Sequence, residues 1–214
     1  SAAADFITRD NTLSVSGSVL GVSEGTPVFI NVMNGSNVAA TLTGSVGENG
    51  NFTTNTSGVL ASLGAAGTEY TFLASVTDAN GNIVTDSFDV TVDRATTEAT
   101  VGLASGSNSG ATNDGITNDT TPDFSGFAEA GATVDVFLNG DLIGTTVAGN
   151  NGAYTLTFAE ADIIPLTDGT YTLSTISTDV AGNIKPSAQG TSFTVDTLAP
   201  EVASITAADT SLNV

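Results

Sequence analysis

A chain of 214 residues with 40% hydrophobic side chains is long enough for two globular domains of ordinary size. Its formal net charge is −20 with only three basic residues, which argues against nucleic acid and anionic lipid as partners because both are bound through clustered Lys and Arg. It contains no Cys and no His, which excludes disulfides and leaves zinc sites, copper sites and His-dependent nucleophiles without their usual residues.

Short runs in which Val, Thr, Ile and Phe alternate with small polar residues predict β-strands along the whole chain. In the first half we expect strands near residues 12–17, 28–33, 38–43, 51–55, 68–78 and 87–92. In the second half we expect them near residues 99–104, 123–127, 133–138, 142–148, 153–158, 170–179 and 192–195. No apolar run approaches the roughly 20 residues that a membrane-spanning helix needs, so we expect no membrane insertion.

The sequence also repeats itself at an interval of domain size. Thr-Val-Asp at 91–93 returns at 194–196, and the series Tyr70, Asp78, Gly81 and Asn82 returns as Tyr171, Asp179, Gly182 and Asn183. About seven strands in each repeat favour the immunoglobulin-like fold. We therefore predict an all-β chain of two tandem immunoglobulin-like Greek-key β-sandwich domains, residues 5–93 and 97–196, with residues 197–214 as the start of a following repeat or a tail.

The two repeats differ at their openings. The second begins with a strand and a loop rich in Gly, Ser and Asn, residues 105–121, for which the first has no evident counterpart. Residues 197–214 resemble such an opening strand and loop, so we expect the chain to begin and end inside a longer array of repeats.

Acidic side chains are predicted to meet where the two domains join. Successive strands of a sandwich run in opposite directions, so the loops after the second, fourth and sixth strands lie at the proximal end, the end at which the domain begins. In the second domain these loops carry Glu129 and the pair Asp179 and Asn183, and Asp93 reaches the same end from the first domain.

Such a cluster suits a calcium ion. Carboxylates brought together repel one another, and a divalent cation removes that repulsion. Ca²⁺ accepts a mixed ring of carboxylate, amide and carbonyl oxygens. The alternative is that Asp179 and Asn183 are turn residues around Gly182, capping their own backbone.

Other candidate calcium ligands lie in less complete settings. Asp78 and Asn82 occupy the corresponding loop of the first domain, but Ser23 stands where the second domain has Glu129, so a site there would be incomplete. At the distal end of the second domain we expect Asp196 together with Asp114 and Asp119, which could help to hold a second ion or could simply form a polar turn.

Four spaced motifs resemble a known family. Thr-Asn-Asp-Thr-Thr-Pro at 117–122, Ala-Glu-Ala-Gly-Ala-Thr-Val at 128–134, Asp-Val-Ala-Gly-Asn at 179–183 and Val-Asp-Thr-Leu-Ala-Pro at 195–200 resemble the bacterial Ig-like repeats of giant secreted adhesins of the RTX and biofilm-associated type. The resemblance covers nearly all of the second domain and is weaker in the first.

The resemblance implies a non-enzymatic extender, stiffened by Ca²⁺, that holds an adhesive tip away from the bacterial cell surface. Its location would be extracellular, its partners would be neighbouring repeats of the same chain, and it would be monomeric. The host or surface ligand would be bound elsewhere in the parent protein.

The composition bears on two other functions. Glycoside hydrolysis needs paired carboxylates, but Trp is absent and aromatic residues make up only 6%, which leaves no platform for a sugar. A calcium-dependent carbohydrate-binding module of an adhesin stays open as the alternative, with residues 105–121 as the candidate binding loop.

Overall fold

The structure is a computed structural model that describes residues 6–10, 12–55, 59, 67–157 and 165–205. Within these residues all regular structure is β-strand, apart from one 3-10 turn at Glu48–Gly50. None of the described residues forms a helix of the length and apolarity that crossing a membrane takes. The predicted all-β class is therefore confirmed.

The first domain contains seven strands, β1 (Ile7–Thr8), β2 (Ser14–Ser18), β3 (Pro27–Asn34), β4 (Asn37–Ser45), β5 (Asn51–Asn55), β6 (Thr68–Thr77) and β7 (Ile83–Val92). One sheet has the order β1-β7-β6-β3-β4, and the other is the pair β2-β5. All pairings are antiparallel except that of β1 with the end of β7, where Ile7 lies opposite Thr91.

The second domain repeats this plan with nine strands, β8 (Gly102–Leu103), β9 (Ile116–Thr117), β10 (Phe124–Phe127), β11 (Thr133–Leu138), β12 (Asp141–Val147), β13 (Ala153–Leu156), β14 (Gly169–Thr178), β15 (Ile184–Pro186) and β16 (Thr191–Val195). One sheet has the order β12-β11-β14-β16-β9, with β15 also beside β14, and the other has the order β13-β10-β8. β9 runs parallel to β16, as β1 runs parallel to β7.

Alternating apolar residues build a separate core in each domain. Val28, Ile30 and Val32 of β3 are fully buried, and Val134 and Val136 hold the equivalent positions on β11. All buried members of the first core lie between residues 15 and 92, and all those of the second lie between residues 99 and 195. Two cores of this kind confirm two tandem sandwiches, while the exact domain boundaries stay predictions.

Four sequence-based expectations need correction. β7 begins at Ile83 rather than at residue 87. Its first residues are exposed on both faces and show no alternation of apolar and polar side chains, so the sequence pattern did not predict them. The loop at residues 105–121 contains β9, a strand of two residues that is too short to leave a pattern. The first domain does have a counterpart of this part of the opening, β1. The predicted strand at 153–158 ends at Leu156, and Phe158 lies outside the described residues.

The first segment of the second domain crosses very close to β10. The Tyr154 hydroxyl donates to the Thr100 carbonyl oxygen at 2.5 Å, and Gly126 lies beneath the same carbonyl. Burial raises the pKa of Tyr154 to about 12, since the ionised phenolate is less well solvated there. The hydroxyl therefore helps to hold the segment that leads from the junction into the sheet.

We expect Tyr154→Phe to lower the free energy of unfolding by about 1 kcal/mol, because the Thr100 carbonyl loses its donor. A folded pKa above the unfolded value of about 10 means that this tyrosine stabilises the fold below pH 10. That contribution is lost as the pH rises from about 10 to about 12. Urea denaturation at neutral and alkaline pH measures both effects, and a variant with an undiminished alkaline loss would contradict the assignment.

Candidate metal centre at the domain junction

Three acidic side chains from both domains meet at the junction. Carboxylate oxygens of Asp93, Glu129 and Asp179 all lie within 4.8 Å of one another, and no other such group of three or more acids occurs among the described residues. Asp93 is 8% exposed and Asp179 is 6% exposed, while Glu129 is partly exposed. The structure thus brings together the three acids that the sequence places at the proximal end of the second domain.

Asp93 is fixed by the strands on which the first domain ends. It follows β7 directly, and its backbone N–H donates to the Thr8 carbonyl at 2.9 Å, so β1 holds it in place. Its carboxylate accepts a hydrogen bond from the Ala95 N–H at 3.2 Å. The side chain is therefore presented at the point where the chain leaves the first domain.

Asp179 and Asn183 close the loop between β14 and β15. The carboxylate of Asp179 accepts the Asn183 backbone N–H and the Asn183 side-chain amide, each at 2.8 Å. Gly182 has φ +86°, a conformation that favours glycine, and its N–H donates to the Asp179 carbonyl. The turn role that the sequence left open is thus present, and because each carboxylate oxygen has two lone pairs, Asp179 keeps the capacity for further partners.

Asn183 crosses the junction as a hydrogen-bond donor. Its side-chain N–H₂ group donates to the Asp93 carbonyl at 3.0 Å as well as to Asp179. A cation would be ligated by the amide oxygen rather than by this nitrogen. The structure therefore gives Asn183 the role of tying the two domains together, and its role as a metal ligand stays a prediction.

The linker between the domains is held along β14. The buried hydroxyl groups of Ser177 and Thr175 donate to the Thr97 carbonyl at 2.7 Å and to the Ala99 carbonyl at 3.0 Å. The Thr96 hydroxyl donates to Glu129 at 3.2 Å. These bonds fix the path of the segment that follows Asp93.

Sequence reasoning missed these linker contacts, although a signal was available. Thr175 and Ser177 stand at inward positions of β14, where the first domain has Ala74 and Val76. A hydroxyl at a core position needs a partner, and here the partner is the linker backbone.

The few basic residues of the chain also lie near this junction. Arg9 of the first domain approaches Gly182 so closely that an added Cβ there would lie 3.6 Å from the arginine Nε. Arg94 follows Asp93 directly, and Lys185 lies two residues after Asn183. Positive charge therefore offsets part of the repulsion among the acids, and an experiment on this junction has to separate ion binding from ionic screening.

The first domain repeats the turn but not the cluster. Asn82 donates to the Asp78 carboxylate through its side chain and its backbone N–H, each at 2.8 Å. These bonds, the side-chain one first, lower the pKa of Asp78 below its ordinary value. No group of three acids forms around Asp78 in the described part of the chain. A metal role for Asp78 and Asn82 stays a prediction.

The candidate acids at the distal end of the second domain cap their own backbone. Asp119 accepts the Thr121 N–H and the Ser107 hydroxyl, and Asp114 accepts the Ile116 N–H. Asp196 accepts the Leu198 N–H. In the residues that are described, these three do not belong to a group of three or more acids.

Asp114 was expected at the distal end of the second domain together with Asp196, but the structure places it elsewhere along loop 105–121. The Thr194 N–H donates to the Gly115 carbonyl, whereas the Asp196 N–H donates to the Thr117 carbonyl, so Asp114 lies beside the body of β16 rather than beside Asp196. Hydrogen bonds fold this loop onto β16. The role of residues 105–121 in binding carbohydrate stays a prediction.

Comparison with known proteins gives one family match. Residues 95–197 match the family model of the bacterial Ig-like domain. No curated protein matches the chain significantly. The match covers the part of the chain that carries Glu129, Asp179 and Asn183.

Several solved structures are similar to the chain. A tetra-tandem repeat from the extending region of a large adhesion protein has 26% identity and a TM-score of 0.41, covering 89% of this chain and 47% of that one. A Ca²⁺-stabilised adhesin with which an Antarctic bacterium binds ice has 27% identity and a TM-score of 0.43, covering 89% of this chain and 45% of that one. A 1.5-MDa bacterial ice-binding adhesin has 23% identity and a TM-score of 0.45, covering 86% of this chain and 57% of that one. The chain spans about half the length of these solved chains.

Proposed function

Because residues 95–197 match the family model of the bacterial Ig-like domain, we propose that the chain is an extender segment of a large bacterial surface adhesin. Its two sandwiches would be held end to end by Ca²⁺ at their junction. The segment would lie outside the cell, make its contacts with neighbouring repeats of its own parent chain, and carry no catalytic activity. The observation that carries this proposal is the convergence of acids from both domains on the linker.

The donor set at the junction fits calcium. Ca²⁺ binds oxygen ligands at about 2.3–2.6 Å, so two ligands of one ion lie at most about 5 Å apart. The carboxylate oxygens of Asp93, Glu129 and Asp179, all within 4.8 Å of one another, meet this limit. Ca²⁺ takes about six to eight ligands, so backbone carbonyls and water would supply the rest.

A bound ion would act as a clamp between the domains. Asp93 directly follows β7 of the first domain, whereas Glu129 and Asp179 belong to loops of the second domain. The segment from residue 94 to residue 98 contains no Gly and is too short to act as a flexible tether. Neutralising the acids removes the force that would open this junction, and the hydrogen bonds of Asn183 and Ser177 then hold a single geometry.

Small-angle X-ray scattering tests this proposal. Strands of ten residues in each domain span about 34 Å, so a locked pair with its loops would measure roughly 80 Å. With millimolar Ca²⁺ we expect the profile of a single rod of about this length. With chelator at equal ionic strength we expect the broader distance distribution of two hinged bodies. Identical profiles in the two conditions would leave a passive spacer without a calcium clamp.

A further inference from the structure

Asparagine followed by glycine is a chemically reactive step in a protein chain, and this chain has five such steps. They are Asn34-Gly35, Asn49-Gly50, Asn80-Gly81, Asn139-Gly140 and Asn151-Gly152. The backbone nitrogen of the glycine can attack the side-chain carbonyl carbon of the asparagine, because glycine has no Cβ to hinder the approach. Both groups have to be free to move toward each other. The hydrogen bonds of the folded chain therefore decide which step reacts.

Three of the five steps have the glycine nitrogen held in a tight turn by a backbone hydrogen bond. These bonds run from the N–H of Gly50 to the carbonyl of Gly47 at 3.2 Å, from Gly81 to Asp78 at 3.1 Å and from Gly152 to Gly149 at 2.8 Å. At the third turn the asparagine is held as well, since the Asn151 side-chain oxygen accepts the Ala153 N–H at 3.1 Å. In each turn the nitrogen has to give up a hydrogen bond before it can react.

The fourth step, Asn139-Gly140, is held through its asparagine. The Asn139 side-chain oxygen accepts the Thr172 N–H at 2.9 Å, and the Asn139 N–H donates to the Thr172 carbonyl at 2.8 Å. The residue before it, Leu138, is buried in the core of the second domain. The tip of the β11–β12 hairpin is thus fastened to β14.

The fifth step, Asn34-Gly35, lies at the tip of the β3–β4 hairpin, which extends further than its counterpart. β3 has eight residues whereas β11 has six. The last pairing of β3 with β6 is that of Met33 with Thr71, whereas β11 pairs with β14 along its whole length. Asn34 therefore lies beyond the neighbouring strand β6, and its ladder partner is Asn37 of β4.

The two reacting groups at this tip are unrestrained. In the described part of the chain, neither the Asn34 side chain nor the Gly35 N–H forms a hydrogen bond. Residues 34–39 are all exposed, and an added Cβ at Gly35 would meet nothing within 4 Å. A hairpin tip without buried contacts opens locally at low cost in free energy, which lets the backbone rotate into the reactive geometry.

We propose that Asn34-Gly35 is the site at which the folded protein modifies itself, by conversion of Asn34 to aspartate and isoaspartate. The Gly35 nitrogen loses its proton and forms a bond to the Asn34 Cγ. The bond from Cγ to Nδ2 breaks, and the nitrogen leaves as ammonia, which takes up that proton. The product of this step is a cyclic imide, the succinimide.

Water then opens the imide ring at one of its two carbonyl groups. Cleavage between the Gly35 nitrogen and Cγ gives aspartate with the original backbone. Cleavage between that nitrogen and the main-chain carbonyl carbon gives isoaspartate, in which the backbone runs through Cβ and Cγ. In sum, one water is consumed and one ammonia is released, and no oxidant or reductant takes part.

The modification places a carboxylate where the sequence encodes an amide. β3 and β7 run in the same direction, since each is antiparallel to β6, so Asn34 lies at the same end of the first domain as Asp93. One negative charge is added there to a chain whose net charge is already −20. Asn34 is not part of the first core, so the domain should keep its fold.

Peptide mapping by mass spectrometry tests all five steps in one experiment. The unaltered chain is incubated in mildly alkaline buffer below its melting temperature, and in parallel unfolded in guanidinium chloride. Digestion with pepsin at acid pH then stops the reaction. In the unfolded chain the five steps should react at similar rates, because each asparagine is followed by glycine.

In the folded chain Asn34 should react at close to its unfolded rate. The other four steps should each be slowed about fivefold or more, the factor that corresponds to one hydrogen bond of ordinary strength. The proposal would be overturned if folding slowed Asn34 as much as the others. A faster reaction at any of the other four steps in the folded chain would overturn it as well.

Two controls at the same tip separate the chemistry from exposure. Asn37 is also exposed, but it precedes Val38, whose β-branched side chain hinders the attack, so Asn37 should stay intact. Asn34→Gln keeps an exposed amide but requires a larger ring, so modification at residue 34 should vanish. An isoaspartyl carboxyl methyltransferase with a labelled methyl donor should mark the aged chain at residue 34. Labelling that persists undiminished in Asn34→Gln would refute the assignment.

Discussion

Replacing Asp179 with Ala is expected to abolish most of the calcium-dependent rise in melting temperature of the second domain. Ca²⁺ sites in extracellular modules have dissociation constants of roughly 10⁻⁴–10⁻³ M. At ten to a hundred times that concentration, linkage stabilises the folded state by about 1.4–2.7 kcal/mol. For a domain of this size the shift is about 6–20 °C. The variant loses one of the two buried acids of the cluster, so most of this shift should vanish.

Asp78→Ala is the matched control. Asp78 and Asp179 occupy the same turn in the two domains and accept the same pair of hydrogen bonds, from Asn82 and Asn183. Because Asp179 is buried and Asp78 is partly exposed, each variant is compared with its own melting temperature in chelator. Only Asp179→Ala should lose the calcium response of the second domain, because only Asp179 belongs to the group with Asp93 and Glu129.

Differential scanning calorimetry with Ca²⁺ and with chelator, at constant ionic strength, measures both variants. Because Arg9 and Arg94 lie close to the acids, part of any calcium effect could come from screening. Constant ionic strength keeps this general screening the same with Ca²⁺ and with chelator. A calcium shift that is equal in Asp78→Ala and Asp179→Ala would therefore refute a specific site at the junction.

The meeting of Asp93, Glu129 and Asp179 could be predicted because it depends on topology alone. Alternating strands fix which loops share an end, and the repeat of Asp93 at Asp196 marks where one domain passes into the next. The core residues of β3 could be predicted from the alternation of the strand, since Val28, Ile30 and Val32 alternate with exposed or half-buried residues. Neither inference requires the conformation of any side chain.

Features that depend on short segments or on hydrogen-bond direction could not be predicted. β1 and β9 have two residues each, and parallel pairing to β7 and β16 defines them rather than any pattern of their own. The hydrogen bond from the Asn183 side-chain nitrogen to the Asp93 carbonyl was not predicted either. It depends on the position of the linker, which the sequence does not reveal, while the role of Asn183 as a ligand through its oxygen stays a prediction.

Gly126→Ala in β10 is expected to be strongly destabilising, because it displaces the segment that connects the junction to the second core. A Cβ on Gly126 would overlap the Thr100 carbonyl oxygen and lie 2.8 Å from the Tyr154 hydroxyl oxygen. The carbonyl belongs to the backbone and cannot rotate away, so residues 97–101 would have to move. Overpacking of this kind costs about 3 kcal/mol, and we expect the second domain to melt about 12–24 °C lower.

The same displacement should reach the junction. Moving residues 97–101 strains the bonds from Ser177 to Thr97 and from Thr175 to Ala99, which fix the linker beside Asp179. Gly126→Ala should therefore also weaken the response to calcium, although residue 126 lies outside the acidic cluster.

Gly102→Ala is the control for this last effect, since an added Cβ at Gly102 in β8 meets nothing within 4 Å. It should change the free energy of unfolding by no more than about 0.5 kcal/mol and leave the calcium shift intact. Calorimetry of both variants with Ca²⁺ and with chelator decides the matter. If Gly126→Ala melted like Gly102→Ala, the close crossing of Thr100 over β10 would not be a constraint on this fold. If it melted lower but kept the full calcium shift, the linker would not be what positions the acids at the junction.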